Sequence, residues 1–160
     1  MRLLSAALAL SLIATPALAQ DTQPQKDGPP ITWVKRDDPE MNAAIAESKR
    51  TLPDFFKHFA SPASDETMFE VKFNIAPGPR FEYIWAYDLK YDGGTLTGVL
   101  VDDAIMTSDK GGDRVPIKTD AIIDWGYMKA GVMQGNRTMR VLMPRLPADQ
   151  AAAIRKAMGW

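Results

Sequence analysis

The 160-residue chain contains no cysteine and a single histidine, His58. Without cysteine there is no disulfide staple and no thiol chemistry, so the fold must rest on packing alone. One histidine cannot furnish the usual His and Cys ligand set of a zinc site. Charge of either sign is not in excess, with 19 Lys and Arg against 20 Asp and Glu. A nucleic-acid footprint needs a basic surplus, so no nucleic-acid partner is expected. No apolar run reaches the ~20 residues that cross a bilayer as a helix. No cofactor and no metal are expected.

What is present starts with one positive charge in Met1-Arg2-Leu3-Leu4, an apolar stretch from Ala6 to Ala14, then Pro16 and the small-residue pattern Ala17-Leu18-Ala19. This is the layout of a secretory signal, with cleavage expected after Ala19. The mature protein is therefore expected to be periplasmic or secreted, without a membrane anchor. Residues 20–32 are polar and rich in proline and glycine, and read as a flexible leader. A single domain is expected over 33–160, opening at Trp33.

Asp38-Pro39-Glu40 is a helix start, and Met41, Ala44, Ile45 and Ser48 follow at helical spacing. Thr51-Leu52-Pro53-Asp54 reads as a pause and a second cap, with Phe55, Phe56 and Phe59 on a short second helix ended by Ser61-Pro62. From there the period becomes two. Phe69, Val71, Phe73 and Ile75 predict a strand with one buried face, and Phe81, Tyr83, Trp85, Tyr87 and Leu89 predict another, its rings facing the core. Asp92-Gly93-Gly94 predicts a tight hairpin into a strand over Thr95 to Val101. A polar loop from Asp102 to Asp113, a short strand around Val115 and Ile117, and an extended segment from Ala121 to Met128 follow. Gly126, Gly131 and Gly135 mark turns or close backbone approaches. Pro147 opens a final helix that Gly159 ends. Helix, antiparallel strands, helix predicts an α+β domain, built as a curved antiparallel sheet or small barrel with an N-terminal helical segment and a C-terminal helix.

Trp85, Gly98-Val99-Leu100 with Asp102, Gly112-Asp113 with Val115 and Ile117, Ile123-Asp124-Trp125-Gly126-Tyr127, then Gly131, Gly135, Thr138 and Arg140 form a pattern that resembles the bacterial DUF2314 family. Thr51-Leu52-Pro53-Asp54-Phe55 and Phe69-Glu70-Val71-Lys72 fit it as well. The resemblance runs from about Met41 to Met143, short of the last helix, and departs at Asp102, where asparagine is expected. It implies a compact bacterial domain over 33–160 and names no reaction.

The candidate binding residues are Trp85, Asp124, Trp125, Tyr127 and Arg140. Asp124 between aromatic neighbours is open to two readings: a carboxylate in a ligand site, or a core residue bonding a turn amide. The aromatic stripe through Trp85 can stack sugars or peptides, yet spacing of two is also what a core-facing strand shows. Asp102, Asp103, Asp109 and Asp113 lack calcium-loop spacing, His58 has no nucleophile in a recognisable elbow, and Asn136-Arg137-Thr138 matches a glycosylation acceptor by motif alone. No catalytic residue is assigned. Two functions follow from different classes: a non-catalytic binding or interaction module of the bacterial cell envelope, engaging an envelope protein or peptide through a sheet edge or the Trp125 region, and a carboxylate-dependent hydrolase-like enzyme with Asp124 in the site. Asp124 in a pocket with other polar groups favours the enzyme. Asp124 satisfied by backbone amides favours the module.

Overall fold

The computed structural model describes residues 37–76, 78 and 81–160. The expected signal, leader and domain start at Trp33 fall outside these residues. Helix α1, Pro39–Ala60, starts where Asp38 accepts a hydrogen bond from the Met41 amide at 3.0 Å. It then runs on for 22 residues with Pro53 inside it, rather than breaking into two pieces. The reason lies in the phase of its buried face. Ser48, Leu52, Phe55 and Phe59 continue one stripe across the proline, while Pro53 and Lys49, whose carbonyl loses its amide partner, are exposed to water. Burying Phe55 completely contributes about 2–3 kcal/mol, enough to hold the turn together.

Six antiparallel strands follow: β1 Glu66–Asn74, β2 Tyr83–Asp92, β3 Thr95–Leu100, β4 Arg114–Ile117, β5 Ile122–Lys129 and β6 Val132–Gly135, in the order β4-β3-β2-β1-β5-β6. The sheet is open, so the architecture is α+β with an open antiparallel sheet and not a closed barrel. The β2–β3 hairpin turns on Gly93 and Gly94, both at positive φ as a two-residue turn requires. Helices α2, Arg137–Leu142, and α3, Ala148–Met158, complete the described chain, with Gly159 at φ 68° ending α3.

Strand β2 corrects the expected facing. Ile84 and Ala86 point into the core, whereas Tyr83 and Tyr87 are 37% and 47% exposed and Trp85 is half-buried. Apolar residues occupy both parities of this strand, so alternation alone cannot choose the buried face. A bulge then resets the phase: Asp88 adopts φ 45°, the β2–β3 register shifts between Tyr87 and Lys90, and Leu89 turns inward. Beyond the pair Val71 and Ala86, β1 continues only beside β5 and β2 only beside β3. On the helix side Phe55, Phe56 and Phe59 reach into this fork and meet Phe69, Tyr91 and Tyr127.

The sheet edges are blunted differently. Edge strand β4 has four residues and contains Pro116. On β6, the Met133 carbonyl accepts from Arg140 Nη2 at 3.1 Å and Trp160 Nε1 at 3.0 Å, and the Gly135 carbonyl accepts from Arg140 Nε at 3.2 Å. The Arg140 guanidinium lies 3.7 Å from the centre of the Trp160 ring. Side chains thus take the place of a further strand.

Candidate functional site around Asp124 and the outer face of the sheet

Asp124 is fully buried and accepts four hydrogen bonds. Its Oδ1 takes the Ser48 hydroxyl at 2.7 Å and the Trp125 amide at 2.9 Å, and its Oδ2 takes the Thr138 amide and hydroxyl, each at 2.7 Å. The Ser48 carbonyl accepts in turn from the Trp125 indole at 2.9 Å. One carboxylate therefore joins α1, β5 and the first turn of α2, and all four bonds strengthen because the acceptor is charged. No lone pair is left pointing at a substrate, and backbone amides supply two of the four donors.

Trp125 and Tyr127 are each 6% exposed and pack their rings against Phe55 on the inner face of the sheet. The guanidinium of Arg137 lies 4.7 Å from the centre of the Trp125 ring. Gly135 makes this packing possible, because a side chain there would meet the Trp125 carbonyl and ring. Trp85 lies elsewhere. It pairs with Lys72, which pairs with Asp124, so the three form one cross-strand row in which Trp85 and Asp124 are roughly 10 Å apart by strand spacing. Arg140 is committed to the β6 edge. The five candidate residues thus divide among three places: an interior knot, an outer strand face and an edge.

On the outer face, Lys72 is half-buried with its amine 5.7 Å from the centre of the Trp85 ring. Burial pushes that amine below its usual value, opposed by the Asp124 charge. Tyr83, Trp85 and Tyr87 follow one another along β2. Beside them Phe59, Met68, Glu70, Tyr87, Leu89 and Val101 line an open depression of about 490 Å³ where β1 and β2 part. Met68, on the β1 bulge, has φ 55° and is 69% exposed.

Asp103, Asp109 and Asp113 of the acidic loop bond groups within the loop itself. Asp103 accepts from the Gly111 amide at 3.0 Å, Asp113 accepts from the Lys110 amide at 2.7 Å, and Asp109 takes the Thr107 hydroxyl at 2.6 Å. Among the described residues no group of three His, Asp or Glu side chains is placed to hold a metal ion. Asn136 is 2% exposed, so its glycosylation motif is closed off in the folded chain.

His58 belongs to a different cluster. Its Nδ1 lies 3.1 Å from Glu66 Oε2, whose carboxylate also receives the Ala63 amide at 3.1 Å and Lys129 Nζ at 2.9 Å. The Lys129 hydrogen bond, then the Ala63 amide, hold the Glu66 carboxyl down at about 2. Since this acid is lowered on folding, its contribution is complete above its ordinary value of 4.5 and is lost as pH falls toward about 2. Glu66→Gln is expected to flatten the acid limb of a stability-versus-pH curve measured by urea titration. An unchanged acid limb would show that Glu66 is not linked to folding.

Ser48, Glu70, Lys72 and Asn136 were not among the candidate site residues, although Glu70 and Lys72 stand in the family pattern and Asn136 in the glycosylation motif. Ser48 did leave a trace, as the one hydroxyl on the apolar stripe of α1, and Thr138 stood in the family pattern without a role.

The sequence profile of the family described as "Uncharacterized protein conserved in bacteria (DUF2314)" matches residues 38–160. The chain belongs to the DUF2314 family. The match extends through α3 to Trp160, beyond the Met143 limit of the motif pattern. The chain is 28% identical to the "Uncharacterized protein YegJ" of Escherichia coli (strain K12) over 72% of its own length and 74% of that protein. It is 24% identical to a protein of Neisseria meningitidis serogroup B named "Putative ankyrin repeat protein", covering 81% of this chain and 54% of that one. No solved structure matches the chain.

Proposed function

We propose that this DUF2314 domain is a non-catalytic binding module exported to the bacterial cell envelope, and that it engages an envelope protein or peptide through the outer face of β2. The observation that carries the reading is the division of labour between two sets of residues. Asp124, the carboxylate assigned to the site of the alternative hydrolase, has every acceptor position consumed by the fold. Tyr83, Trp85 and Tyr87 instead present rings on the sheet face away from Phe55, with the Lys72 amine beside them. Exposed tyrosine and tryptophan supply apolar contact area at low entropy cost, which suits recognition. Edge pairing is a weaker route, because Arg140 and Trp160 already occupy the β6 carbonyls. The proposed export rests on the Met1 to Ala19 pattern.

The test is capture from envelope extract with the mature domain, run beside Trp85→Ala and Tyr87→Ala. Wild type is expected to retain a partner and both variants to lose it by tenfold or more, with melting temperatures near that of wild type. Recovery of nothing by wild type, together with a hit in a small-molecule thermal-shift screen, would move the reading to the enzyme class.

A further inference from the structure

Where β6 turns into α2, Asn136 adopts φ 52° and its side chain is closed off from water. Its amide nitrogen donates to Glu70 Oε1 on β1 at 3.1 Å, while its amide oxygen is buried without a donor. A buried acceptor left unpaired carries its desolvation cost uncompensated, and αL backbone at a non-glycine residue adds strain. Both costs fall on the same residue, and that residue touches a carboxyl group. A carboxylate cannot help the amide oxygen, because it only accepts. A carboxylic acid can, because its O–H donates while its carbonyl accepts from the amide nitrogen.

We propose that Glu70 is the neutral acid in the folded protein, exchanging two hydrogen bonds with Asn136, and that this pair is a proton-operated latch on the β6–α2 junction. Breaking the latch releases the Glu70 proton to solvent and leaves a carboxylate, so no other reactant is needed. The surroundings disfavour that charge. Burial first, and then the like charge of Asp124 on β5, raise the Glu70 carboxyl to about 7. Lys72 lies two residues along the same strand, Tyr87 and Asp88 on β2 line the depression beside Glu70, and Arg137 follows Asn136 on α2. Among the described residues, Glu70 forms no ion pair with Lys72 or Arg137. Gly126 on β5 leaves the room, since a side chain there would meet Glu70 Oε1 at 3.1 Å.

The junction matters because the next residues are those that seat Asp124. Opening at Asn136 loosens the Thr138 amide and hydroxyl, and with them the attachment of α2 to β5. The closed form binds the proton and the open form does not, so opening rises about tenfold per pH unit between the ordinary glutamate value and about 7, then levels off.

Two measurements on the full mature chain decide it. The Glu70 side-chain carboxyl carbon, followed by NMR against pH, is expected to titrate with a midpoint near neutrality. Hydrogen exchange of the amides of 136–140, corrected for intrinsic base catalysis, is expected to lose protection by at least tenfold from pH 5 to pH 7. Glu70→Gln offers the same donor and acceptor without a titrating proton, so it is expected to fold and to abolish that pH dependence. A Glu70 midpoint near 4.5, or a Glu70→Gln chain with undiminished pH dependence at 136–140, would overturn the proposal. If the glutamine variant is too unstable to measure, the carboxyl midpoint in the wild-type chain decides alone.

Discussion

Asp124→Ala is expected to destabilise the domain by about 3–5 kcal/mol, read from urea unfolding at neutral pH. The substitution removes the acceptor for two hydroxyls and two backbone amides in a site with no access to water. The hydroxyls of Ser48 and Thr138 can turn to one another or to a nearby carbonyl. The amides of Trp125 and Thr138 cannot turn, and each carries the desolvation cost of an unpaired donor. Asp124→Asn is not a gentle alternative. Each carboxylate oxygen accepts one of those fixed amides, so whichever way an asparagine side chain is turned its NH₂ group faces a donor. A loss of about 2–4 kcal/mol is expected from it. If Asp124 were a catalytic base, asparagine would abolish a reaction and leave the unfolding curve nearly where it was.

Gly135→Ala is the second large effect. Gly135 sits at φ 70°, and a Cβ would lie 2.2 Å from the Trp125 carbonyl oxygen and 2.5 Å from its ring. Neither atom can give way, since the carbonyl belongs to the sheet and the ring is packed against Phe55. A loss of at least about 4 kcal/mol, or failure to accumulate folded protein, is expected. Gly131→Ala provides the comparison. It shares the positive φ, at 79°, but meets nothing within 4 Å. Its cost is expected to be about 1–2 kcal/mol, that of the left-handed backbone alone. Equal losses in the two variants, by the same urea titration, would mean that close approach to Trp125 is not what demands a glycine at 135.

Much of the scaffold was legible from residue pattern. The alternation of Phe69, Val71 and Phe73, the paired glycines after Asp92, and the proline and glycine that bracket α3 all carry local physics strong enough to survive into the fold. What was hidden depended on partners distant in sequence. The Pro53 break failed because the Phe55 stripe on the far side kept helical phase with Ser48, and packing outweighed the local signal. The facing of Tyr83, Trp85 and Tyr87 was ambiguous because Ile84 and Ala86 are apolar too, and the bulge at Asp88 has no marker in composition. Strand β6 and helix α2 were missed for being four and six residues long, below the length at which periodicity speaks.

The candidate site was legible in membership more than in role. Asp124 and Thr138 both stand in the family pattern, and the fold brings them together at 2.7 Å. Trp125 and Tyr127 stand there as well, and the fold buries both as interior rings beside Phe55. Glu70 stood in the family pattern without a role, because nothing local marks a glutamate on an outer strand face as one that will be half-buried beside a second carboxylate.

A single interior carboxylate ties α1 to β5 and α2. A double-mutant cycle on Ser48→Ala and Asp124→Asn, by equilibrium unfolding at neutral pH, tests that most directly. The expected result is a coupling of at least about 1 kcal/mol between the two sites, which lie 76 residues apart in the chain. Losses that simply add would mean that the Ser48 hydroxyl and the Asp124 carboxylate do not hold each other in the folded protein.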